Sequence, residues 1–78
     1  MNPRVTKVIP EAEFTLLLQF ENNESRRFDM RPYLDMGVFR ELRDPRLFRT
    51  ARVQNGTVTW IHHQDLCPDT LYLKSLSV

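Results

Sequence analysis

Apolar and polar residues alternate most cleanly between Phe14 and Phe20, with Phe14, Leu16, Leu18 and Phe20 on one parity and Thr15, Leu17 and Gln19 on the other. A period of two predicts a half-buried β-strand. Upstream, Arg4–Ile9 is β-branched and roughly alternating, which predicts an N-terminal strand stopped by Pro10, with Glu11-Ala12-Glu13 as connector. Downstream, Glu21-Asn22-Asn23 reads as a three-residue hairpin loop, because Asn23 takes the left-handed conformation at little cost. That loop length sets a register: Phe20 opposite Glu24, Leu18 opposite Arg26, and Leu16 opposite Phe28, so Phe28 joins the apolar face.

The middle of the chain changes period. Asp29 precedes Met30-Arg31-Pro32-Tyr33-Leu34 as an N-cap type of residue, predicting a short helix that runs to Gly37. Val38, Phe39 and Leu42 then share a helical face, and Asp44-Pro45 restarts a turn carrying Leu47 and Phe48. Asn55-Gly56 lies between Ala51–Gln54 and Thr57–Trp60, the signature of a type I′ hairpin. Its register puts the Val53/Val58 and Ala51/Trp60 pairs toward the core and Arg52, Gln54, Thr57 and Thr59 toward solvent. Leu66–Tyr72, with Pro68 and Asp69 at a first helical turn, predicts a C-terminal helix or turn docking Leu66, Leu71 and Tyr72, while residues 73–78 fit either a frayed end or an added strand. The expected fold is therefore α+β: a small antiparallel sheet from two β-hairpins plus an N-terminal strand, packed with short helices, in one domain over residues 1–78.

At 78 residues and 41% hydrophobic composition, the chain has room for a single modest core, which self-association would reinforce. One cysteine, Cys67, permits no internal disulfide, and no apolar run is long enough for a signal peptide or a membrane span, so a soluble, cytoplasmic protein is expected. The net charge of +1 gives no global reason to expect nucleic acid. Residues 26–52 nevertheless hold eight arginines against four acids. Within that stretch Arg40, Arg43, Arg46, Arg49 and Arg52 recur every third residue, a spacing that would form a basic ridge on a continuous helix. Pro45, Glu41 and Asp44 interrupt and partly neutralise it, so this candidate interaction surface reads first as a solvated face, and any nucleic-acid binding through it as weak.

His62, His63 and Asp65 form the one cluster with metal-binding or acid–base chemistry, but two adjacent histidines serve one ion only from an irregular loop, and no third histidine completes a zinc site. Asp65, Cys67 and Asp69 with His63 suggest a thiol nucleophile on paper; helix capping and a small buried cysteine account for them more simply. Gly37 and Gly56 sit in no phosphate-binding pattern. No cofactor, metal or catalytic set is expected.

The Val5-to-Pro10 strand and turn, Leu16-Leu18-Phe20 with its Asn turn, the Phe28-Asp29 step, the Phe39/Leu42/Phe48 run, Asn55-Gly56 to Trp60 and above all Asp65–Tyr72 resemble the small bacterial proteins grouped as domain of unknown function 2442. Asn22-Asn23 stands where such proteins usually carry Asn-Gly, and His62-His63-Gln64 where a Gly commonly follows the Trp. The resemblance implies a compact α+β domain without established chemistry. Relatives beside small proteins in operons like toxin–antitoxin pairs, or fused to helix-turn-helix domains, imply regulation or partner binding. The resulting expectation is a non-enzymatic interaction module whose partner is another small protein or a second copy in a homodimer, with a nucleic-acid-binding accessory protein using residues 26–52 as the alternative, a small metal-dependent or hydrolytic enzyme around His62, His63 and Asp65 ranked third, and no membrane partner.

Overall fold

A computed structural model of the chain describes residues 2–78. Strands β1 (Val5–Glu11), β2 (Thr15–Phe20) and β3 (Ser25–Asp29) form an antiparallel meander, and β7 (Leu76–Ser77) pairs with β3, giving a four-stranded sheet in the order β1-β2-β3-β7. Strands β4 (Arg52–Gln54), β5 (Thr57–Thr59) and β6 (Asp65–Leu66) make a second, three-stranded antiparallel sheet. Two short helices, α1 (Pro45–Phe48) and α2 (Pro68–Leu73), and three 3-10 segments (Ala12–Phe14, Arg31–Tyr33 and Gly37–Arg43) complete an α+β fold.

The first hairpin keeps the register that its three-residue loop dictates. Leu16 faces Phe28 and Leu18 faces Arg26, the Phe20 amide donates to the Glu24 carbonyl at 2.9 Å, and Asn23 is left-handed at φ 68°. The strand before it differs from expectation at both ends of its turn. Pro10 does not stop β1, which continues to Glu11 opposite Thr15. An edge strand tolerates a proline because a missing N–H breaks no interior ladder. Phe14 correspondingly leaves β2: Glu13 and Phe14 both take positive φ in the turn, and the Phe14 ring packs edge-on against Phe48 at 5.3 Å.

Asp29 Oδ1 accepts from the Arg31 amide at 2.9 Å, yet the helix ends at Tyr33 instead of reaching Gly37. Gly37, at φ 42°, opens the next 3-10 stretch, because a left-handed glycine serves to start a new segment as well as to end one. Asp44-Pro45 does restart a turn, and Asp44 caps α1, accepting from the Arg46 amide at 3.0 Å.

Asn55 (φ 54°) and Gly56 (φ 78°) form the left-handed pair of a type I′ turn, with Val53 opposite Val58. Val58 and Trp60 are fully buried. Thr59, expected in solvent, is buried as well: Asp65 and Leu66 form β6 beside it, so that Leu66 does not join the C-terminal helix, and the Thr59 hydroxyl donates to the Gln64 carbonyl at 2.7 Å. The connection is a second three-residue hairpin loop. Trp60 N–H donates to Gln64 O at 3.1 Å, His63 N–H to Trp60 O at 2.9 Å, and His63 (φ 71°) occupies the place that Asn23 holds in the first.

One contiguous core joins the sheets, with Leu16, Leu18, Phe20 and Phe28 from the first, Val58, Trp60 and Leu66 from the second, and Met30, Leu42, Phe48 and Leu71 from the connections. The Val5 amide, which donates to Gly56 O at 2.9 Å, ties the two sheets at their edge. The tail adds a strand, held by Arg26, whose guanidinium donates to Ser75 Oγ and Ser75 O at 2.8 Å each and to Ser77 Oγ at 3.1 Å while lying 4.6 Å over the Tyr72 ring.

Candidate interaction surface

The arginine row does not make a ridge, because Arg40 and Arg43 stand on a 3-10 stretch, Arg46 and Arg49 on a four-residue helix and its C-cap, and Arg52 on a strand. Arg40 Nε donates to the Asp35 carbonyl and Arg43 Nε to the Leu34 carbonyl, at 3.2 Å each, and Arg43 also pairs with the Asp35 carboxylate. Arg46 grips Asp44 through two nitrogens at 3.1 and 3.3 Å, which holds the Asp44 carboxyl below its ordinary range and raises the guanidinium. Arg49 lines a shallow hollow with Phe14, Pro45 and Phe48, and Arg52 is exposed on β4. Three of the five are thus engaged by their own neighbourhood, which reduces the charge free to meet phosphate.

Of the polar cluster, His62 parts from His63 and Asp65, which line one hollow. His62 Nδ1 lies 2.7 Å from Glu41 Oε1, and Gln64 Nε2 donates to the same oxygen at 2.5 Å and to Val38 O at 3.1 Å. The His62 hydrogen bond is the main cause, with Gln64 after it, of a Glu41 carboxyl held below the usual glutamate range. His63 lies instead in a hollow shared with Thr57, Thr59 and Asp65. Successive residues of a tight loop diverge, so the two rings serve different neighbours. Among the described residues no three His, Cys, Asp or Glu side chains gather as a metal group. Cys67 is exposed, not buried as the sequence suggests, because the extended residue before α2 turns its side chain outward.

A surface that the sequence reading passed over lies on the first sheet. Register puts Ile9, Leu17, Arg27 and Leu76 in one row straight across β1, β2, β3 and β7, on the face opposite the core. Lys7, Gln19 and Ser25 form the row on one side, continued by Val78, whose amide donates to Ser25 O at 3.2 Å. Glu11, Thr15 and Asp29 form the row on the other. Ile9 is 55%, Leu76 76% and Val78 63% exposed. Arg27 reaches across β2 to Glu11 at 2.7 Å and bounds the patch on the acidic side, while Lys7, Ile9, Leu17, Gln19 and Ser25 line a shallow groove on the other. The available signal was an apolar Leu17 and Ile9 on the solvent parity of their strands, a mark of a second apolar face.

Among the described residues no helix is long and apolar enough to cross a membrane. No curated protein and no solved structure matches the chain. A family model does match over residues 5–77, almost the whole chain, taking in both sheets and every strand that builds the surface just described: the protein belongs to the family of proteins of unknown function DUF2442.

Proposed function

We propose that this chain is a non-enzymatic protein-interaction module that docks its partner on the outer face of the four-stranded sheet. The observation that supports the reading is the row Ile9, Leu17, Arg27, Leu76, in which Ile9 and Leu76 are exposed and Leu17 is half-buried, with an exposed Val78 beside it. A domain leaves several large apolar side chains on one sheet face to water only at a cost, and apolar patches rimmed by polar residues mark interaction sites. The face is also rigid, its side chains standing on paired strands, so binding orders little that is not ordered already. As one member of a small regulatory pair, the protein would work in the cytoplasm, where an exposed Cys67 stays a free thiol.

The test is recovery of complexes by the tagged chain at about 150 mM salt, where exposed charge pairs are largely screened, alongside titration of duplex DNA and RNA in the same buffer. Protein recovered by the wild type and lost with Leu17→Glu is the expected result. Sub-micromolar, sequence-dependent binding of either nucleic acid, abolished by changing Arg49 and Arg52 and accompanied by no recovered protein, would replace this reading with a nucleic-acid one.

A further inference from the structure

We infer that the partner of this face is a second copy of the same chain, the two sheets stacking about a two-fold axis that runs parallel to the strands, between Leu17 and Arg27. The inference rests on the interaction reading above and gives that reading its partner. The row Ile9, Leu17, Arg27, Leu76 is fixed by pairing across the four strands. Rotation about the axis reverses the row, so that Ile9 lies over the second copy's Leu76 and Leu17 over the aliphatic stem of its Arg27, each contact made twice by symmetry. In the neighbouring rows Lys7 meets Val78, Gln19 meets Ser25 and Thr15 meets Asp29.

Charge selects this arrangement in two ways. The face carries Lys7 and Arg27 against Glu11 and Asp29, so it is neutral as a whole and gives no electrostatic advantage to a charged partner over itself. The axis also opposes no like charges, and each Arg27 keeps its bond to Glu11 at 2.7 Å. A two-fold running across the strands would stack Arg27 on Arg27 at the centre of the interface, where like charges are costly. Sheets packed face to face stand about 10 Å apart with their strands nearly aligned, room enough for leucine, isoleucine and an arginine stem to interdigitate.

Size sets the strength. Four strands spaced by about 4.8 Å and rows spanning five residues at about 3.3 Å give a patch of roughly 19 by 17 Å, well short of the ~800 Å² per partner of a standard stable complex. The dimer is therefore weak and reversible, with a dissociation constant on the order of 10–500 µM.

Sedimentation equilibrium of the purified full chain, from about 10 µM to about 1 mM, should give a mass that rises from monomer toward dimer across that range. Leu17→Glu should hold it at monomer. Leu76→Asp, at a position 76% exposed and so without consequence for the core, should do the same. In a Cys67→Ser background, a mixture of the Ile9→Cys and Leu76→Cys chains should form an oxidised dimer that neither chain forms alone. A wild type that stays monomeric while captured protein is lost with Leu17→Glu overturns the second copy and leaves the interaction reading standing. A dimer that persists in both charge variants, or an Ile9→Cys chain that crosslinks to itself, overturns the proposed face or axis.

Discussion

The indole Nε1–H of Trp60 donates to the main-chain carbonyl of Phe48 at 3.0 Å, fastening the strand that leaves β5 to the last residue of α1. Trp60 is wholly buried, with Phe48 and Phe39 each 6.3 Å away between ring centres. The bond satisfies a buried acceptor at a helix end, where carbonyls lack intrahelical partners. Trp60→Phe would leave that carbonyl with only the Ala51 amide, at 3.3 Å, as donor and would open a void, costing about 2–4 kcal/mol. Urea unfolding measures the loss, and a midpoint unmoved by the change would mean that water replaces the indole there.

The two glycines make a controlled pair. Both have positive φ, but a Cβ at Gly37 meets nothing within 4 Å, whereas one at Gly56 would stand 2.7 Å from Cδ of Arg4. Gly37→Ala should cost about 1 kcal/mol, the left-handed penalty alone. Gly56→Ala should cost about 2 kcal/mol, and Arg4→Ala in the same chain should recover part of the excess, a coupling readable in a double-mutant cycle. Equal losses at the two glycines would show that the arginine simply swings aside.

His63 holds a left-handed backbone at φ 71° in the loop between β5 and β6, a conformation open to His but easier for Gly. Its hollow gives it no hydrogen bond through the ring among the described residues. His63→Gly should raise stability by a few tenths to about 1 kcal/mol, and His63→Val should lower it by more than 1 kcal/mol. A melting temperature that drops for the glycine variant would indicate that the ring contributes packing.

These loops also mark where the sequence was legible. Alternation and the Asn23 and Asn55-Gly56 turns carried β2 to β5 with their registers, because each signal lies within a few residues of what it determines. The two-residue strands β6 and β7 have no periodicity to read. Strand β6 depends on a histidine filling a position that usually announces itself as Gly or Asn. Strand β7 depends on Arg26, about fifty residues distant, reaching Ser75 and Ser77. The outer face was hidden for the same reason: a half-buried Leu17 and an exposed Ile9 are ordinary when taken singly, and only the pairing of β7 with β3 sets Leu76 in line with them.

The Tyr72 hydroxyl donates to Glu24 Oε2, joining α2 to the first hairpin loop, and this makes stability depend on pH in a defined window. That bond is the largest cause of a Glu24 carboxyl held below its ordinary 4.5, with Asn22 and Arg26 adding to it. A depressed carboxyl stabilises the fold fully above its unfolded pKa and ceases to do so as pH falls through the folded value. Tyr72 is shifted the other way, upward from 10.0, chiefly by the same bond, so its contribution is complete below 10 and disappears as pH rises through the raised value. Tyr72→Phe removes the hydroxyl and keeps the ring, which packs edge-on against Phe20 at 5.1 Å beneath Arg26. Asp29, Glu41 and Asp44 are also held low, by Arg31, His62 and Arg46 respectively, but these pairs are common to both proteins and cancel in the comparison. The gap in melting temperature between wild type and Tyr72→Phe should therefore form a plateau from about pH 5 to about pH 9 and narrow on both sides of it. Thermal melts across that range decide the matter, and a gap that stays constant from acid to alkali would rule out the Tyr72–Glu24 bond as its source.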